Sequence, residues 1–171
     1  MKFCLPIRKI KLNPYDSLDE KLPFTVLGPN SPLSYQQAAR RLAEDFANGT
    51  CFESAPYEVK EIERYASTDW RDRVLLFGKP TGDGKMRFFG AVGMRWKKYD
   101  DLPEGWIMTW AWFHPTEQRK GHLRNAWPHI SRLFPDFIPL PPATPAMGLF
   151  LEKINFSHPF FLNKEFPIVT F

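Results

Sequence analysis

The chain has 171 residues, of which 43% are hydrophobic, 16% aromatic and 25% charged, a balance in which apolar burial offsets the entropy of ordering the backbone and excludes wholesale disorder. That length suits one well-cored domain, and a net charge of +4 with a pI near 9.1 favours anionic ligands without choosing between a nucleotide phosphate and a nucleic acid. Two cysteines, Cys4 and Cys51, with no CxxC spacing and no Cys/His cluster, indicate neither a disulfide framework nor a metal, and no stretch approaches the ~20 apolar residues of a membrane span.

The opening Met1-Lys2-Phe3-Cys4-Leu5-Pro6 is too short an apolar run for a signal peptide, so a reduced, cytoplasmic setting is expected. Residues 1–33, broken by Pro6, Pro14, Pro23, Pro29 and Pro32, read as an irregular arm or edge strand. A helix is predicted from Ser34, whose hydroxyl caps it while Gln37 completes a capping box. Tyr35, Ala38, Ala39, Leu42 and Phe46 share its apolar face, and Asn48-Gly49 stops it.

Residues 57–68 carry Val59, Ile62, Tyr65 and Ala66 at helical spacing among charges, and both a helix and a twisted edge strand stay open there. Apolar runs over 73–77 and 86–96, around Lys79-Pro80-Thr81-Gly82-Asp83-Gly84, predict a β-hairpin. Trp106 to Phe113 predicts a third antiparallel strand, with Trp106, Met108, Trp110 and Trp112 on one face as core or cleft wall. A loop over 114–120 follows, then a helix over about 121–134 that Pro128 kinks or ends early. A Pro-broken strand near 136–140, a helix over about 144–155 and a strand over 166–171 complete the chain.

The loop and helix start Phe113-His114-Pro115-Thr116-Glu117-Gln118-Arg119-Lys120-Gly121-His122-Leu123-Arg124 carries the chemistry. A first helical turn leaves four N–H groups without internal partners and holds about half a positive charge, which favours an anion such as a pyrophosphate. Gly121 lets the backbone approach closely, and Arg119, Lys120 and Arg124 offer charge-assisted hydrogen bonds.

These residues resemble the GNAT superfamily of acyltransferases, in which a strand ends in hydrophobic-x-Pro and Gln/Arg-x-x-Gly-x-Gly/Ala opens a helix. Here the match is Phe113-His114-Pro115 and Gln118-Arg119-Lys120-Gly121-His122-Leu123, and a second signature is met by Phe150-Leu151-Glu152-Lys153-Ile154-Asn155-Phe156. The resemblance spans roughly residues 34–171. It implies an α/β (α+β) fold, a mixed and mostly antiparallel central sheet flanked by helices, in a single domain over 1–171.

It further implies that acetyl-coenzyme A binds as co-substrate at Gln118, Arg119, Lys120, Gly121, His122, Leu123 and Arg124, with its thioester carbonyl against amides of Ala111, Trp112 and Phe113. Acetyl would pass by direct attack to an amine on a small molecule or a protein, and a homodimer is compatible with the family. Candidates for proton transfer are His114, Glu104 and His158, with Asp100 and Asp101 beside them. The sequence departs from the family at three places: Leu123 stands where Gly or Ala is usual, Leu151 where many members place a tyrosine acid, and Ile107 where some carry a glutamate base. The alternatives are a catalytically lapsed interaction or inhibitor protein on the same scaffold, and a nucleic-acid-binding module. For the latter the pairs Arg40-Arg41 and Lys97-Lys98 have no recognition helix or RNA-binding aromatic signature beside them.

Overall fold

The computed structural model describes residues 22–28, 31–50, 71–81, 85–98, 104–140 and 144–157. Its elements run β1 (Thr25–Leu27), α1 (Leu33–Thr50), β2 (Asp72–Thr81), β3 (Lys85–Lys97), β4 (Gly105–Phe113), a 3-10 turn (Pro115–Glu117), α2 (His122–Leu133), β5 (Ile138–Pro139) and α3 (Pro145–Lys153). The strands form one sheet in the order β1-β2-β3-β4-β5, antiparallel except for the parallel β4–β5 pair.

The central strands are apolar on both sides, so the sheet needs a helix on each face. Alternation sends Val74 and Leu76 of β2 to one face, where Phe88, Ala91 and Trp110 meet Tyr35, Ala39, Leu42 and Phe46 of α1. Leu75 and Phe77 go to the other face, with Phe89, Val92, Met94 and Met108 under Ala126 and Ile130 of α2. This is the α+β arrangement read from the sequence: a mixed sheet between helices.

Two register shifts shape the sheet. Phe77 pairs with Gly90 but Gly78 with Phe88, so Phe89 is an extra residue on β3. Gly93 pairs with Trp110 but Met94 with Met108, so Thr109 is extra on β4, its hydroxyl donating to the Gly93 carbonyl at 3.3 Å. One inserted residue reverses which face the later side chains occupy. The expected single face of Trp106, Met108, Trp110 and Trp112 is therefore split: Trp106 and Met108 lie on the α2 side, Trp110 and Trp112 on the α1 side.

The hairpin and the third strand stand where the sequence placed them, and β1 falls inside the arm expected over 1–33. The start of α1 differs. The amides of Tyr35 and Gln36 both donate to the Pro32 carbonyl, so Ser34 lies inside the helix, and Gln36 rather than Gln37 reaches back, to the Ser31 carbonyl at 2.7 Å. Helix α1 also continues through Gly49 to Thr50. Pro128 neither ends nor shortens α2, which continues to Leu133. Thr144 caps α3 by accepting from the Met147 amide at 3.3 Å. The segments expected over 57–68 and 166–171 lie outside the described residues. Among the described residues no helix is long and apolar enough to cross a membrane.

Candidate functional site

The site grows from the end of β4. Only Ile107 and Met108 of β4 pair with β5, and the Leu140 amide donates to the Met108 carbonyl at 2.8 Å; along Thr109 to Phe113 that edge has no partner strand among the described residues. The His114 amide donates to the Phe89 carbonyl of β3 at 2.7 Å. Amides alternate along an antiparallel strand, so Trp112 also points its N–H at β3, while Ala111 and Phe113 point theirs toward the unpaired edge. Of the three amides expected to meet a thioester carbonyl, two face the open side and that of Trp112 belongs to the ladder.

Glycines let aromatic rings cross this strand pair. A Cβ on Gly90 would lie 2.3 Å from Cδ1 of Phe113, so only a residue without a side chain admits that ring beside β3. The Phe113 ring meets Phe77 edge-on at 4.9 Å and stacks on the His122 ring at 5.9 Å and 17°. The extra residue Phe89 packs on His122 from below at 4.7 Å. Two bulge-positioned and strand-end aromatics thus seat the first residue of α2.

The turn between them is held from its edges. The Gln118 side-chain amide donates to the Phe113 carbonyl at 3.0 Å, and the Gln118 and Glu117 amides donate to the His114 carbonyl. Arg119 and Gly121 take left-handed conformations, with φ of 60° and 81°. Gly121 is the N-cap of α2 and supplies no side-chain cap. Among the described residues, no hydrogen bond engages the amides of Arg119 through Arg124. Gln118, Arg119, Lys120 and Arg124 are exposed around them, and the Leu123 side chain packs onto the core under α2.

Glu117 gathers cations at this turn. Its carboxylate accepts from Lys79 Nζ at 2.9 Å, from Lys120 Nζ at 3.2 Å and meets His122 Nε2 at 3.0 Å. The Lys79 ammonium foremost, then the His122 and Lys120 bonds against the opposing effect of burial, hold its carboxyl down at about 2. Lys79 also lies over the Phe89 ring, 5.0 Å from its centre.

The proton-transfer candidates do not converge. His114 Nδ1 accepts from the Thr116 amide at 3.3 Å and lies 2.8 Å from the Thr116 hydroxyl, so the ring caps the 3-10 turn. Glu104 precedes β4 and accepts from Trp96 Nε1 at 3.2 Å, whereas His114 follows β4, about 30 Å away at ~3.3 Å per residue. His158, Asp100 and Asp101 lie outside the described residues. Leu151 is buried at the start of the last turn of α3, and Ile107 is buried in β4.

Two residues near this end of the sheet carried no sequence signal. Asp45 sits on α1 beside Phe46. Burial pushes its carboxyl up, Glu44 adds to this, and His114 opposes it, which places Asp45 within electrostatic reach of the β4 end. Lys79 lies 38 residues before Glu117, and no local pattern links them.

No protein-family model and no curated protein matches the chain. Among solved structures it is similar to an aminoglycoside acetyltransferase from an uncultured soil metagenomic sample, solved in complex with sisomicin. That match has 15% identity over 91% of this chain and 97% of that one, with a TM-score of 0.54. It is also similar to a transcriptional regulator from Bacillus halodurans C-125, at 15% identity over 86% of this chain and 99% of that one, with a TM-score of 0.49. A tetramutant protein from Bacillus halodurans matches at 12% identity over 82% of this chain and 97% of that one, with a TM-score of 0.48. At such identities the likeness concerns the fold alone: the described residues form a mixed five-stranded sheet with three helices, an α+β arrangement of GNAT-like kind.

Proposed function

We propose that this protein is an acetyl-coenzyme A-dependent N-acyltransferase that works by direct attack of an amine on the thioester. The observation that carries the reading is the set of amides from Arg119 to Arg124 at the start of α2 that have no hydrogen-bond partner among the described residues, next to a strand edge, likewise without a partner strand among them, that presents the amides of Ala111 and Phe113. A diphosphate takes the first group, assisted by Arg119, Lys120 and Arg124. The second group donates to the thioester carbonyl oxygen as it gains negative charge.

In the transfer, the lone pair of a neutral amine forms a C–N bond to the carbonyl carbon, and the C–S bond breaks as the oxyanion collapses. The amine proton leaves through water, because His114 Nδ1 is engaged by Thr116 and Glu104 lies at the far end of β4. The coenzyme A thiolate takes its proton from water, since Leu151 offers none. The Leu123 side chain, partly buried against the core under α2, is the one departure within the turn, and the phosphate is taken by backbone amides that do not depend on it. Cytoplasmic localisation belongs to the same reading.

A transfer assay tests it: purified protein, acetyl-coenzyme A and the amines putrescine, lysine amide and sisomicin, with thiol release followed by a chromogenic disulfide. Amine-dependent thiol release supports the proposal. The apolar residues at Leu151 and Ile107 favour a second reading, a GNAT-fold binding protein that has lost turnover. Thioester binding with no amine-dependent release from a broad panel selects it.

A further inference from the structure

Glu117 is the most heavily engaged side chain of the described turn, and its partners come from two parts of the chain. Lys120 is three residues away, whereas Lys79 is delivered by β2, two strands removed from β4. The carboxylate is the covered member of the group: the Glu117 side chain is 14% exposed, against 53% for Lys79 and 52% for Lys120. Exposed ion pairs stabilise a fold little, so fold stability is a weak reason for two ammonium groups and an imidazole on one carboxylate at this place.

An ammonium has three donors. With one given to Glu117 and its position fixed over the Phe89 ring, Lys79 keeps two for an anion on the solvent side. We infer that Lys79 is a phosphate ligand of the turn and that Glu117 is the positioning residue that brings it there. The inference rests on the anion-binding reading of Arg119 to Arg124 and adds a cation that no local motif contains.

Calorimetry with coenzyme A and with inorganic pyrophosphate tests it on the wild type, Lys79→Ala, Glu117→Gln, the double variant and Lys97→Ala as a control at the far end of β3. Lys79→Ala weakens both ligands about tenfold, the scale of a charge-assisted hydrogen bond, and flattens the salt dependence of binding. Glu117→Gln does likewise, and adding Lys79→Ala to it costs less than about a further twofold, because the lysine is already released. Lys97→Ala changes neither ligand. A merely structural Glu117 would leave the salt dependence of binding unchanged in Glu117→Gln and the two substitutions additive.

Wild-type affinity in Lys79→Ala overturns the inference alone. Tighter binding by Glu117→Gln also overturns it, since the carboxylate would then be an internal competitor for the cations. Binding of neither ligand by the wild type removes the underlying anion site along with it. Should Glu117→Gln not fold, Glu117→Asp, which withdraws the carboxylate by one methylene, carries the same expectation.

Discussion

Gly90→Ala probes the junction between sheet and turn. The added Cβ would stand 2.3 Å from Cδ1, 2.7 Å from Cε1 and 3.0 Å from Cγ of Phe113. Carbon atoms rest at about 3.5–4.0 Å, so the ring must retreat by more than about 1 Å. Behind it stand the Phe77 ring at 4.9 Å and the His122 ring at 5.9 Å, so the retreat disturbs both the core and the first residue of α2. Overpacking of this kind costs about 1–3 kcal/mol, and because Phe113 is only half-buried the ring has an outward escape, which places the cost near 2 kcal/mol. For a chain of this size each kcal/mol lowers the melting temperature by about 2–4 °C, giving a fall of roughly 4–8 °C. Thermal unfolding by circular dichroism measures it, with coenzyme A affinity falling in parallel. Adding Phe113→Val removes the clash and restores part of the loss. A Gly90→Ala melting temperature equal to wild type would refute the packing argument.

Gly121→Ala meets only Asn125 Oδ1 at 4.0 Å, so its cost is the left-handed backbone itself, about 1–2 kcal/mol, read as a lower melting temperature with weaker coenzyme A binding. Pro128→Ala restores a helical N–H inside α2 and should raise the melting temperature, by up to about 3 kcal/mol of stability before the unfolded-chain entropy is subtracted. Glu117 titrates at about 2 in the folded protein against an ordinary 4.5, so the unfolded chain takes the proton first. Its contribution to stability is complete above pH 4.5 and is lost as pH falls toward 2. Acid unfolding curves should therefore be shallower across that window for Glu117→Gln, and identical slopes would count against the ion-pair cluster.

What the sequence disclosed was local. The apolar runs of β2, β3 and β4 and the strand-turn-helix around Gly121 depend on neighbouring residues, and the sheet and turn appear where those residues put them. The one-residue insertions at Phe89 and Thr109 were invisible, because a bulge leaves the apolar pattern intact and only redirects it; Trp106 and Trp110 look equivalent until Thr109 intervenes. The start of α1 at Leu33, with the Tyr35 and Gln36 amides on the Pro32 carbonyl and Ser34 inside the helix, lies two residues before the start that a Ser34 cap implies, a shift that propensity does not resolve. Lys79 and Asp45 reach the site through tertiary packing. Glu104 and His114 looked like alternatives for one role because sequence does not show that β4 holds them apart.

Amide chemical shifts in a coenzyme A titration test the central claim most directly, since the claim concerns particular N–H groups. The account predicts that the resonances of Arg119, Lys120, Gly121, His122, Leu123 and Arg124 move together and saturate with one affinity, followed by those of Ala111 and Phe113 when acetyl-coenzyme A replaces the free thiol. Unmoved resonances in that segment at millimolar ligand, or shifts confined to other surfaces, would contradict it.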